Sequence, residues 1–97
     1  MNIEQRVESR EQCTEAGWYA YDYLFDRTVG RTEIERLRAF GGDLLYLSSL
    51  REPFYKLEDS RFMIRGIEGT REMRLAVYRE NEQEILEKFE KFCRDCL

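Results

Sequence analysis

The first strongly patterned part of the chain reads WYAYDYLF, from Trp18 to Phe25. Its tyrosines share one face of an extended segment and most of its other apolar residues share the opposite face, which favours a strand covered on both sides. Residues 1–16 are polar and weakly patterned. Ile3 and Val7 are four positions apart, as on a helix, but they also fit a strand, so a helix and an extended arm both stay open.

A short helix is predicted after this strand. Apolar residues recur at helical spacing from Ile34 to Phe40, and Thr32 begins a Thr–Glu capping box. Gly41 supplies the residue type that commonly ends a helix. These signals place the helix over 33–40.

The C-terminal segment has the clearest helical period. At about 100° per residue, its apolar side chains fall within an arc of about 140°, and the charged side chains of residues 84–95 lie outside that arc. Asn81 is the predicted N-terminal cap. The arc consists of Ile85, Leu86, Phe89, Phe92, Cys93, Cys96 and Leu97.

The middle of the chain predicts strands at 44–50 and 54–58, separated by Pro53. A β-hairpin follows, with Glu68-Gly69 as a two-residue turn. Residues whose numbers sum to 137 then lie opposite each other, which pairs Ile64 with Met73 on an apolar face and sets an acid opposite a base on the other.

In chain order, these elements predict an α+β fold: an antiparallel sheet of about four to five strands with a short and a long helix packed on one face. A length of 97 residues corresponds to one domain. We therefore expect a single domain over 1–97, in which 1–16 form an N-terminal arm or helix.

The composition restricts the chemistry, because the sequence contains no histidine. This excludes histidine acid–base catalysis, histidine-dependent triads and histidine metal ligands, and it leaves carboxylate, Cys, Tyr or Lys chemistry open. The sequence also has no catalytic constellation and no cofactor motif. It therefore favours a protein that is not an enzyme, and we expect no cofactor.

Cys93 and Cys96, in the motif CRDC, are the candidates for metal or redox chemistry. A structural zinc or iron–sulfur site generally needs four ligands, and within one chain only Cys13 or a carboxylate could add to this pair. Reactive pairs usually lie at a helix N-terminus, whereas these lie at a predicted C-terminus, where the helix dipole opposes the thiolate. Packing of both thiols in the apolar arc is the favoured interpretation.

The candidate binding surface is the sheet face that the helices leave open. Residues 51–79 carry seven basic and five acidic side chains in a chain with a net charge of −4, and these opposite charges permit self-association or an acidic ligand. The simpler alternative is a solvated face with ion pairs. The candidate contact residues are Arg61, Met63, Arg65, Arg74 and Tyr78.

These features predict a small cytoplasmic binding or protein-interaction module. We also expect self-association as a homodimer, in which the outer sheet face or the exposed first strand forms the contact between the two copies. The alternative is a metal-binding or redox accessory protein that uses Cys93 and Cys96. No apolar run is long enough to span a bilayer and no signal peptide opens the chain, so we expect no membrane partner. The acidic net charge argues against nucleic acid, and a small-molecule ligand stays unknown.

Overall fold

The computed structural model describes residues 1–10 and 16–97, and these form an α+β fold. Helix α1 (Arg31–Arg36) continues as a 3₁₀ turn (Leu37–Phe40), and helix α2 (Glu82–Cys96) follows a second 3₁₀ turn (Arg79–Asn81). The strands are β1 (Ile3–Glu8), β2 (Trp18–Phe25), β3 (Asp43–Leu47), β4 (Phe54–Glu58), β5 (Phe62–Ile67) and β6 (Glu72–Tyr78).

The six strands of the described residues form one antiparallel sheet in the order β1-β2-β6-β5-β4-β3. The strand beyond the predicted four to five is β1, so the N-terminal segment is extended over Ile3–Glu8. After β2 the chain crosses through α1 to the far edge, and β3 to β6 return as a meander until β6 pairs with β2. The strand that we expected to be exposed, β2, is therefore paired on both sides, and the free edges are β1 and β3.

Both helices pack on the same face of the sheet, as predicted. Phe40, at the end of the first 3₁₀ turn, lies with its ring centroid 4.9 Å from that of Phe62 in β5 and 6.0 Å from that of Phe89 in α2. Tyr23 of β2 meets Phe89 at 4.9 Å. These rings belong to one buried hydrophobic cluster. The other side of the sheet, which we call the outer face, is covered by neither helix.

The hairpin of β5 and β6 is confirmed, but its predicted register is wrong by two residues. Ile64 lies opposite Leu75 and not Met73, so paired residue numbers sum to 139. The connection is wider than a two-residue turn because its backbone hydrogen-bonds to residues outside the hairpin. The N–H of Glu68 donates to the carbonyl of Pro53, and the N–H of Gly69 donates to the carbonyl of Val29, both at 2.8 Å. A shift of two residues leaves every side chain on its predicted face.

Helix α1 begins earlier than its predicted capping box. Gly30 is the N-cap, and its N–H donates to Oε1 of Glu33 at 2.9 Å. Thr32 lies inside the first turn, so it is not the capping residue. Gly41 has a φ of 115° and ends the helical segment, in agreement with the prediction.

Candidate binding face

The outer face carries a row of cationic side chains across three adjacent strands. Lys56 of β4 lies opposite Arg65 of β5, and Arg65 lies opposite Arg74 of β6. Neighbouring strands are about 4.8 Å apart, so the three residues, here called the cationic row, are close neighbours. Like charges directly opposite each other destabilise a sheet unless nearby acids offset them.

Two carboxylates offset part of this charge. Asp22 of β2 accepts two hydrogen bonds from Arg74, from Nε at 2.7 Å and from Nη2 at 3.3 Å. Glu58 lies 3.2 Å from the ammonium group of Lys56. With Glu72 of β6, which lies on the same face as Arg74, three acids accompany the three bases of the cationic row.

Strands β5 and β6 separate beyond the pair of Arg65 and Arg74. Their ladder ends there, although β5 continues to Ile67 beside β4 and β6 begins at Glu72 beside β2. The hydroxyl of Thr70 donates to the carbonyl of Ile67 at 2.8 Å, where an interstrand bond would otherwise form. By the alternation of antiparallel ladders, the backbone N–H groups of Ile67 and Glu72 face the gap.

The gap opens as a recess of about 320 Å³ on the outer face. This volume lies at the lower end of the range of small-ligand sites, roughly 300–1,000 Å³. Arg65 and Arg74 line one part of the recess, while Phe54 and Ile67 line another, and Glu72 adds a carboxylate. The recess therefore places guanidinium groups beside apolar surface.

An apolar row runs from the recess to the edge of the sheet. Ile67 lies opposite Phe54, which lies opposite Leu47 of β3. Leu47 and its outer-face neighbour Leu45 are both exposed. The sequence prediction missed these residues because it drew the outer face from the hairpin alone. A signal was present, since Leu45 and Leu47 alternate with the half-buried residues of β3.

The predicted contact residues are spread over the outer face. Arg65 and Arg74 meet at the recess, and Met63 lies two residues along β5 on the same face. Tyr78 lies at the opposite end of β6, where its ring centroid is 5.7 Å from that of Trp18. The structure thus brings two of the five residues together and leaves Met63 and Tyr78 farther along the face.

Arg61 is directed elsewhere. It precedes β5, so the alternation of the strand does not fix its direction. Its guanidinium group lies 3.1 Å from Asp59 and 3.9 Å from Glu84 of α2. Arg61 therefore interacts with the helix side of the molecule and does not join the cationic row.

The two cysteines of CRDC have different surroundings. Cys93 is buried but Cys96 is exposed, so the prediction that both pack in the apolar arc is wrong for Cys96. The buried residues Ile85, Phe89, Cys93 and Leu97 form an i, i+4 row, and such rows are inclined to the helix axis. The predicted apolar arc is a projection down the helix axis and does not show position along the axis. The buried row turns around the helix from Ile85 to Leu97, so at its C-terminal end it faces a different side from Cys96.

The Cys93 thiol is held in its neutral form. Burial is the main cause that raises its pKa to about 12. Within residues 1–10 and 16–97, no group of three or more His, Cys, Asp or Glu side chains is placed to hold a metal ion. Cys13, the third candidate ligand, lies outside the described residues.

Helix α2 is joined to β2 by two hydrogen bonds from tyrosine to glutamate. The hydroxyl of Tyr21 donates to Glu82, and that of Tyr23 donates to Glu90 at 2.9 Å. Burial, followed by these glutamates, raises the pKa of both phenols, to about 12 for Tyr21. Arg6 of β1 donates to the same oxygen of Glu90 at 2.6 Å. This cluster, which the sequence did not predict, fixes α2 over the sheet.

Comparison with known proteins adds no family: no family model, curated protein or solved structure matches the chain. Among the helices of the described residues, none is both long and apolar enough to cross a membrane. The candidate function therefore rests on the geometry of the outer face.

Proposed function

We propose that the protein is a protein-binding module whose outer face receives an extended segment of a partner chain. The observation that carries the proposal is the recess between β5 and β6, where Arg65 and Arg74 adjoin Phe54 and Ile67. An acidic side chain of the partner would bind the guanidinium groups. A neighbouring apolar side chain would pack on Phe54 and Ile67.

The residue types of the outer face support a protein partner. Protein interfaces are enriched in aromatic residues, Met and Arg, and depleted in Lys and Glu, relative to the rest of the surface. The solvent side of α2, by contrast, is rich in Glu and Lys. The half-buried outer-face residues of the enriched types are Trp18, Phe54, Met63, Arg65, Arg74 and Tyr78.

The electrostatics favour a peptide segment over a simple anion. Arg74 is already paired with Asp22, and Glu72 lies in the recess, so net charge alone attracts an anion weakly. A charge-assisted hydrogen bond contributes about 1.5–3 kcal/mol. Burial of apolar surface adds roughly 25 cal/mol per Å². A segment that supplies both interactions gains from each, whereas inorganic phosphate or acetate gains only from the first.

A phage-displayed library of random dodecapeptides tests the proposal with a defined probe. Selection on the folded protein is expected to enrich peptides in which an acidic residue lies beside an aromatic or aliphatic one. Titration of ¹⁵N-labelled protein with an enriched peptide should shift the amide signals of residues 65–67 and 70–74. Shifts confined to α2 would contradict the proposal.

Two charge-matched variants make the test specific. Arg65→Gln is expected to weaken binding of an enriched peptide by about tenfold, which corresponds to about 1.4 kcal/mol. Lys91→Gln, at an exposed position of α2, removes the same charge and is expected to bind the peptide as the wild type does. Equal affinity of both variants for the peptide would exclude the recess as its site.

A further inference from the structure

The two free edges of the sheet have opposite chemistry. Strand β1 carries charged side chains at Glu4, Arg6 and Glu8. Strand β3 reads DLLYL, and Asp43 is its single charged residue. Charged side chains on an edge strand are a common means of preventing edge-to-edge pairing. Strand β1 is protected in this way and β3 is not.

The charges of β1 also engage other elements. Arg6 lies 2.6 Å from Glu90 of α2, and Glu4 lies 3.6 Å from Arg71. A strand added beside β1 would meet these ion pairs and would have to desolvate or rearrange them. The edge of β1 is therefore a poor template for another strand.

Strand β3 exposes leucines instead. Leu45 and Leu47 are 45% and 39% exposed, and Leu50, in the turn that follows, is 49% exposed. Of the four exposed large hydrophobic residues in the described part of the chain, three thus lie on or beside this edge. Exposed apolar edge strands of this kind favour pairing with another strand.

The backbone of β3 is oriented for such pairing. The N–H of Asp59 donates to the carbonyl of Phe62, so the odd-numbered residues of β4 bond to β5. The even-numbered residues of β4 then bond to β3, where the register places them opposite odd-numbered residues. The N–H and C=O groups of Leu44 and Tyr46 therefore point away from β4 toward the open edge.

We propose that β3 pairs with β3 of a second copy of this chain about a two-fold axis, which joins the two sheets into one. This strand can pair with a copy of itself. When the numbers of two opposite residues have an even sum, the edge-facing N–H and C=O groups of the two copies lie opposite each other. The leucines of both copies then lie on the outer face. In the register centred on Tyr46, Leu45 lies opposite Leu47 of the second copy. Asp43, the one charge of the strand, lies away from that centre.

The expected dimer is weak and reversible. A pair of five-residue strands buries less than the roughly 1,200 Å² at the lower limit of standard interfaces. It should therefore form at high protein concentration and dissociate on dilution. The pairing leaves the recess open on both copies, so it goes beyond the proposed peptide-binding function and does not depend on it.

Sedimentation equilibrium of the full chain, from micromolar to millimolar concentration, tests this pairing. The wild type is expected to shift from monomer to dimer. Leu45→Lys places a charge on the edge and is expected to weaken association at least about tenfold. Val7→Lys is the matched control, because Val7 is also 45% exposed and lies on the outer face of the opposite edge. This variant should associate as the wild type does.

Hydrogen exchange locates the contact. The amides of Leu44 and Tyr46 should exchange more slowly at high than at low protein concentration, whereas those of Arg6 and Glu8, which point outward from β1, should not change. A wild type that stays monomeric at millimolar concentration overturns the proposal, as does a dimer that Leu45→Lys leaves intact. Arg65→Gln should weaken peptide binding but leave the dimer intact. The peptide-binding proposal and the pairing proposal can therefore fail independently of each other.

Discussion

The ring of Tyr55 occupies the space that a side chain at Gly66 would fill. The two residues lie opposite each other on β4 and β5, and a Cβ on Gly66 would lie 2.7 Å from Cζ of the ring. Tyr55 is buried, and its hydroxyl has no hydrogen-bond partner among the described residues. Gly66 is therefore required by the close approach of the ring at a position that also lines the recess.

Gly66→Ala is expected to lower the free energy of unfolding by about 1–3 kcal/mol, the usual cost of overpacking a well-packed site. The added methyl group must displace the ring of Tyr55 or bend β5, because the nearest atoms belong to that ring. Urea unfolding of the wild type and the variant measures the difference. An unchanged midpoint would show that the ring moves aside at little cost.

Tyr55→Phe completes a double-mutant cycle with Gly66→Ala. Alone, it removes a buried hydroxyl without a partner in the described structure, and it is expected to raise stability or leave it unchanged. Because Cζ remains in place, it should relieve only part of the clash with the methyl group that Gly66→Ala adds, so the two changes should be coupled. Strictly additive changes in the free energy of unfolding would contradict a direct contact.

Stability is expected to fall at alkaline pH. Burial is the main cause of the raised pKa values of Cys93, Tyr21, Tyr23 and Tyr55, and the first two are raised to about 12. Above the ordinary pKa of each group, the unfolded chain loses a proton that the native chain keeps. The native state then binds more protons, so the free energy of unfolding decreases as pH rises. This contribution is complete below about pH 9 and is lost toward pH 12.

Urea midpoints measured from about pH 8 to about pH 11 check this dependence. For a buried group such as Cys93, the slope approaches about 1.4 kcal/mol per pH unit between its unfolded and native pKa values. Cys93→Ala and Tyr55→Phe should each make the profile flatter, because each removes one of the groups. A wild-type profile that stays level across this range would contradict the raised pKa values.

The periodicity of the sequence predicted the elements better than their pairing. Alternation placed the hairpin residues on their correct faces, but it cannot distinguish registers two residues apart. Ile64 meets an apolar residue in either register, Met73 in one and Leu75 in the other. The true register depends on the backbone hydrogen bonds made by the connection between β5 and β6. The residues that accept these bonds, Pro53 and Val29, are distant from the connection in sequence. No local pattern contains that information.

The candidate site was predicted only in part for a similar reason. The alternation of β5 and β6 indicated that Arg65 and Arg74 share the outer face, and the ladder confirms this. The recess beside them arises because the two strands diverge toward different neighbours, which a strand pattern does not show. Phe54 joins the site from β4, and the sequence prediction had placed no residue of that strand on the face.

Asp22→Asn is expected to lower the free energy of unfolding by about 1 kcal/mol. The side chains of Arg74 and Asp22 are 27% and 34% exposed, so their ion pair is stronger than the exposed pairs that contribute little. Asparagine retains an acceptor but not the charge, and Arg74 then repels Arg65 across the ladder. Urea unfolding should show the deficit shrinking as salt screens this repulsion.

A charge-matched control accompanies this prediction. Asp95→Asn removes a carboxylate that lies 3.7 Å from Arg94 on the exposed surface of α2, and no measurable change in the free energy of unfolding is expected. If the loss of unfolding free energy in Asp22→Asn does not change with salt, its cause would be altered hydrogen bonding to Arg74 and not repulsion between the two arginines.

The two C-terminal thiols should react at very different rates. In a Cys13→Ser background, Cys96 is exposed and is expected to react promptly with Ellman's reagent at mildly alkaline pH. Cys93 is buried with a pKa of about 12, so it should react only after the protein unfolds. In the wild-type chain, which retains Cys13, added Zn²⁺ should not slow the reaction of Cys96, because the described residues provide no group of three or more ligands. Simultaneous reaction of both thiols, or protection of both by zinc, would instead support the metal or redox function that the CRDC motif suggests.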